Sequence, residues 1–364
     1  VPAARLTPIV SALLIIVTAV HAADVYDRNA QLRASTINVA AIISSVRSNI
    51  VKAGSPDARG ADTHITFIVD QSPLPNASEN SGTIRISNSL HVMLLYLADV
   101  AIEQKADAKF NQCEAAYNDY LISAIWRNKP RFVDDQPLDY IAAPEEFIAL
   151  AQPLCHGFEK TFPLRKDWRP ARDERVAHLL AFIYLHELGH FALHHTGITE
   201  DAVHASSVGS ADPQVLLELT RSRNQEFEAD AWGYREYLRT YGPDVDVAII
   251  DMMHLLQIIG NSYDCSHEAV ATHPDGIERY AVLLPIYREE YEKAWGMSVP
   301  PQLDNLFNLV INFSVRARDA LHCGPGQERA KIDPSVYGDC AAQNRCFGTS
   351  PEFQVPPASS GVAK

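Results

Sequence analysis

The sequence predicts an α+β fold, mostly helical, with a small sheet near the front of the chain. Three observations predict it. Apolar residues recur at helical spacing over long stretches, as at Ile37, Val39, Ile42, Ile43, Val46 and Ile50. Two β-rich stretches, THITFIVD (63–70) and TIRIS (83–87), are joined by the turn-rich loop QSPLPNASENSG. From Asp173 onward the pattern turns strongly helical.

The elements follow in order. Residues 1–22 predict a signal peptide: Arg5 supplies weak positive charge, Ile9 to Val20 is apolar, and VHA (20–22) suits a signal peptidase. The chain is then expected to be exported, periplasmic or secreted, with anchoring by an uncleaved N-terminal helix as the alternative. That run is shorter than the roughly 20 residues a spanning helix needs, and no membrane span is expected in the mature chain. Residues 23–60 read as helix, the two strands come next, and an apolar helix runs from about Leu90 into Ile102. Residues 104–172 hold short helical pieces, several prolines and two cysteines. A long helix follows, then a polar loop from Thr196 to Pro213. A second long helix ends near Tyr241, where Gly242-Pro243 stops it. Asp244 caps a third, HPDGIERY (273–280) begins a fourth with Pro274 in its first turn, and another spans about Leu303–His322. The tail, 323–364, is rich in Gly, Pro and Ser. Residues 23–322 are expected to form the main domain.

Composition narrows the function classes. The 364 residues suffice for a full core. A net charge of −14 argues against a nucleic-acid partner, which calls for a basic excess. Cys113, Cys155, Cys265, Cys323, Cys340 and Cys346 all follow the cleavage site. An even count in an exported chain predicts up to three disulfides. Cys113 is expected to pair with Cys155, with two bridges among the other four. None of the spacings makes a CxxC pair, which disfavours a cysteine zinc cluster.

The chemistry concentrates in FIYLHELGHFALHH (182–195). His186 and His190 are four apart, so on a helix they project from one face and can reach a single ion. Glu187 adjoins the first histidine, where it can act as a base toward water rather than as a ligand. His194 lies about 12 Å from His186 along the axis, too far to share its ion. His194 and His195 therefore read as structural or surface residues. A third ligand is sought in QEFEAD (225–230). Glu226 and Asp230 face one side of the next helix, one to bind the ion and the other to accept a hydrogen bond from a ligand histidine. Glu228 is expected to point elsewhere.

HELGH, then EFEAD, then THPDGIER resembles the gluzincin family of CAAX prenyl proteases and the heat-shock protease HtpX. That family's pattern is HExxH, a later ExxxD, and a His-Pro pair with an arginine six residues on, which His273-Pro274 and Arg279 fit. PNASENSGTIRIS is similar to the family's Asn-Ala loop and following edge strand. The resemblance covers roughly residues 63–100 and 173–285. It implies a zincin-like metallopeptidase domain with the edge strand beside the HExxH helix. It implies one Zn2+ per chain on His186, His190 and Glu226, with Asp230 orienting a ligand histidine and Glu187 as general base. His273 and Arg279 would stabilise the charge of the tetrahedral intermediate. Asn76, Thr83, Ile84, Arg85 and Ile86 would bind an extended peptide or unfolded-protein substrate. Two departures stand out. The prenyl proteases' membrane spans are absent, so a prenylated substrate is not implied. Residues 104–172 are longer than the pattern requires, an insertion fit for a lid, a specificity wall or a partner surface. The rival reading is a catalytically silent zinc-binding or chaperone-like exported protein.

Overall fold

The computed structural model describes residues 38–152, 154–162, 165–197, 213–243, 252 and 276–301. The expected signal peptide, the helix from Asp244, His273, the helix over 303–322 and the tail with its cysteines lie outside them, as does Cys265.

Asn38 opens the first helix, α1 (Val39–Ala53), by accepting a hydrogen bond from Ala41 N. Val39, Ile42, Ile43, Val46 and Ile50 form its buried stripe. The single helix expected through residue 60 is broken at Gly54. Ser55 precedes a proline, which disfavours helical backbone, and from an extended conformation it caps α2 (Pro56–Asp62).

Three strands follow: β1 (Thr66–Asp70), β2 (Ala77–Asn80) and β3 (Thr83–Ser87), in the order β1-β3-β2. β3 runs parallel to β1 and antiparallel to β2. The β2–β3 hairpin turns on Ser81 and Gly82, both with positive φ (49° and 79°), the signs a type I′ turn requires. This topology corrects the expected edge strand. Thr83, Ile84, Arg85 and Ile86 lie in the central strand, paired on both sides, and Ile84 and Ile86 are fully buried. The edges fall instead to β1 and to β2, and β2 is part of the stretch read as a loop. Its polar sequence ASEN suits a solvated edge, whereas the alternating isoleucines of TIRIS demand the interior.

α3 (Asn88–Ala106) is apolar around most of its circumference and buried from Ser89 to Ala101, apart from a half-buried Val92. The expected insertion supplies α4 (Asn111–Val133) and α5 (Pro144–Leu150), which pack against α3. Cys113 and Cys155 form the expected disulfide. Phe110, Tyr117, Leu121 and Phe147 join the same core as the rest of the chain. α6 (Arg169–Ala192) starts with Pro170 in its first turn, where a missing N–H costs nothing. It packs against α1, α2, α3 and β2 and most extensively against α7 (Pro213–Tyr241), and α8 (Gly276–Trp295) also packs against α7. The architecture is α+β and mostly helical with a small mixed sheet, as expected. No described helix is long and apolar enough to cross a membrane.

Candidate metal centre

The centre forms where α6 crosses α7, and small residues let the two backbones approach. A Cβ at Gly233 of α7 would stand 2.8 Å from His186 N and 2.9 Å from its Cα, closer than any real Cβ contact. Gly189, inside HELGH, also lies close to α7, though less tightly: a Cβ there would meet Ala229 O at 3.2 Å. Side chains four apart on each helix share a face, so His186 and His190 meet Glu226 and Asp230 across this crossing.

Donor atoms of three side chains converge there. His186 Nε2 and His190 Nε2 are 3.2 Å apart, and the Glu226 carboxylate spans the two, with Oε2 3.4 Å from the first and Oε1 3.4 Å from the second. An ion bonded tetrahedrally at about 2.0–2.1 Å would set three donors about 3.3–3.4 Å apart. The three side chains fit a metal ion, and among the described residues this is the group that can hold one.

The outer side of His186 is equally built. Its Nδ1 lies 2.9 Å from Asp230 Oδ1, and Asp230 in turn receives two 2.7 Å hydrogen bonds from Arg279 Nε and Nη2. Asp230 is fully buried; burial opposes its ionisation, but Arg279 and His186 hold its carboxyl below the usual range. With a carboxylate oxygen 2.9 Å from Nδ1, a proton on that nitrogen leaves His186 an electron pair on Nε2, toward Glu226 and His190. Such an arrangement is repulsive unless positive charge lies among the donors. A proton on the imidazole can supply it. Burial would lower the pKa of His186, yet Asp230 and Glu226 outweigh that and push it up to about 10.

Glu187 is buried beside this group. Burial raises its pKa, and the charge of Glu226 adds to the rise; His186, His190 and Arg279 pull the other way. A buried carboxyl group shifted toward neutrality therefore stands beside three side chains that could hold a metal ion.

Arg279, to which the resemblance gives a role toward the tetrahedral intermediate, is 4% exposed, doubly bonded to Asp230 and 3.7 Å from Glu226. Its charge thus faces two carboxylates on the ligand side of the group. Asn76 precedes β2 with its backbone bonded to Ser87 and its side chain exposed.

Two residues read as bystanders belong to the site. His195 Nδ1 is 2.9 Å from His190 Nδ1, and its Nε2 is 3.1 Å from a carboxylate oxygen of Glu228. The chain reversal after α6 brings His195 back, which helical spacing alone does not reveal. The signal was present as a carboxylate two residues past Glu226.

Compared with protein-family models, with curated proteins and with solved structures, the chain finds no match in any of the three.

Proposed function

We propose that the protein is a zinc-dependent endopeptidase of gluzincin type, with His186, His190 and Glu226 as the ligands. One observation carries this reading: two imidazole nitrogens and a carboxylate spaced 3.2–3.4 Å apart, with a second carboxylate beside them. Two histidines and one glutamate with room for a further ligand are a donor set of catalytic zinc sites. When bound, zinc supplies Lewis acidity, polarising the scissile carbonyl and making a water nucleophilic near neutral pH.

The chain's own groups do the rest. Glu187 accepts a proton from the attacking water and passes it to the departing amine nitrogen, so that water and amide become acid and amine. Asp230 and Arg279 keep the His186 ring in one orientation. β2 offers an open strand edge beside α6, and an extended peptide can pair there through main-chain hydrogen bonds with little demand on sequence. The hairpin turn holds that edge near the metal helix: Gly82 packs toward Phe191 of α6. A Cys113–Cys155 disulfide supports an oxidising, exported setting.

Elemental analysis of the purified protein is expected to find about one zinc per chain. Casein hydrolysis is expected to vanish with a chelator and return with zinc. Glu187→Gln is expected to keep the zinc and lose at least about 100-fold in kcat, the scale of a general base. Wild-type turnover by that variant, or a zinc-loaded wild-type protein with no hydrolytic activity, would overturn the enzymatic reading; the latter would favour a silent zinc-binding protein.

A further inference from the structure

The two ligand histidines are held from behind in different ways. His186 is backed by a carboxylate inside the core. His190 is backed by another histidine, and the local backbone shows how it arrives. α6 closes with His194 N donating to Phe191 O at 3.1 Å and His195 N donating to His190 O at 3.0 Å. His194 between them has φ 55°. This is a Schellman ending, in which one left-handed residue folds the chain back over the last helical turn. The ring of His195 thereby stands edge-on to His190, with centroids 5.0 Å apart, and its side chain is only 6% exposed. α7 then grips the next residue. With its amide oriented to satisfy both groups, Gln225 donates to Thr196 O at 2.8 Å and accepts from Thr196 N at 3.2 Å.

The direction of the hydrogen bonds follows from the carboxylate at the end of the chain. Ionised Glu228 can only accept, so His195 Nε2 carries the proton that points at it. A neutral imidazole carries a single N–H, so the proton turned toward Glu228 leaves the other ring nitrogen as an acceptor. Its Nδ1 then has a free electron pair and accepts from His190 Nδ1–H. His190 is left with its electron pair on Nε2, facing His186 Nε2 and Glu226. A ligand imidazole needs that tautomer.

We propose that His195 is a positioning residue of the metal centre, fixing the tautomer and ring plane of His190, and that Glu228 acts through it. The inference rests on the reading of His186, His190 and Glu226 as metal ligands. It gives QEFEAD four tasks on α6: Gln225 holds the turn, Glu226 ligates, Glu228 fixes His190 through His195, and Asp230 fixes His186.

The test measures zinc dissociation constants of the full chain by chelator competition, together with the visible spectrum of the cobalt-substituted protein. His195→Phe keeps a ring for packing and removes both nitrogens; zinc binding is expected to weaken about 10- to 100-fold, with a shifted cobalt spectrum. His195→Asn retains an acceptor near the Nδ1 position and is expected to recover most of the loss. Glu228→Ala is expected to weaken binding in the wild type but to add little on top of His195→Phe, because its effect passes through the missing ring. Wild-type affinity and spectrum in His195→Phe would overturn the proposal, as would losses from the two variants that simply add. Should His195→Phe fail to fold, Glu228→Ala decides alone. Its carboxylate is 65% exposed, and unchanged zinc affinity there would overturn the proposal. A wild-type protein that binds no zinc refutes the metal reading itself, and this inference with it.

Discussion

His194 carries no ligand and no catalytic group, yet the centre depends on its backbone. It is a non-glycine residue at positive φ, a conformation that costs an L-residue roughly 1–2 kcal/mol. Histidine tolerates the region better than a β-branched residue does. His194→Gly is therefore expected to hold or raise the melting temperature and leave zinc affinity unchanged. His194→Val is expected to lose about 1–2 kcal/mol and to weaken zinc binding, because the turn that returns His195 must open. Thermal melts with and without zinc check both; equal zinc affinity in the two variants would separate the turn from the metal. The same residue explains how far the site was legible in sequence. His186, His190, Glu226 and Asp230 obey helical spacing, so their convergence is readable once both segments are taken as helices. His195 and Glu228 meet only because one residue leaves the helical region, and no period encodes that. Arg279 entered through the resemblance, and its pairing with Asp230 was not legible, since spacing says nothing about which carboxylate a guanidinium will meet.

At the level of elements, the decisive feature is how closely α6 and α7 cross. Gly233 faces the backbone of Leu185 and His186, and an added methyl group would stand 2.8 Å from His186 N, where ordinary contact begins at 3.4 Å. Neither atom belongs to a flexible side-chain end, so the helices must separate. Gly233→Ala is expected to cost about 1–3 kcal/mol by overpacking. It is also expected to weaken zinc binding more than ten-fold, because Glu226 and the two histidines sit on opposite sides of the moved interface. An alanine variant with wild-type stability and zinc affinity would show that the crossing is not tight. The helices themselves were largely readable, since long amphipathic and apolar runs leave a strong periodic trace. The sheet was half readable. TIRIS has the alternation of a buried strand, but ASEN is too short and polar to register, and without it the central strand passes for an edge. The break at Gly54 was likewise hidden inside a continuous apolar period, although Ser55-Pro56 marks it in hindsight as a cap followed by a first-turn proline.

Among the described residues, one core joins α6 and α7 to the α3–α4–α5 region, and buried ionisable groups lie on those other helices too. Glu114 on α4 is the clearest. Burial pushes its pKa up from 4.5 to about 7, against the opposing charge of Arg175. A raised carboxyl pKa means the folded state holds the proton that the unfolded chain has released. Its stabilising contribution is therefore complete below pH 4.5 and is lost as pH rises through about 7. A shift of that size corresponds to about 3 kcal/mol. His91 on α3 has the opposite sign: burial lowers it from 6.5 to about 4, so its contribution is complete above pH 6.5 and lost as pH falls through 4. Absolute stability thus mixes several groups, His186, Glu187 and Asp230 among them, and the difference between two proteins isolates one. Glu114→Gln imitates the protonated side chain at every pH. Its stability relative to wild type, from urea unfolding at constant zinc, is expected to be near zero at pH 4.5 and to grow through pH 7 to as much as about 3 kcal/mol in favour of the variant. A difference independent of pH would mean that Glu114 ionises in the folded protein as freely as in water. Because Glu114 is remote in sequence from HExxH and QEFEAD, the zinc dissociation constant of the variant is expected to match wild type at each pH, which separates the stability of the scaffold from the chemistry of the centre.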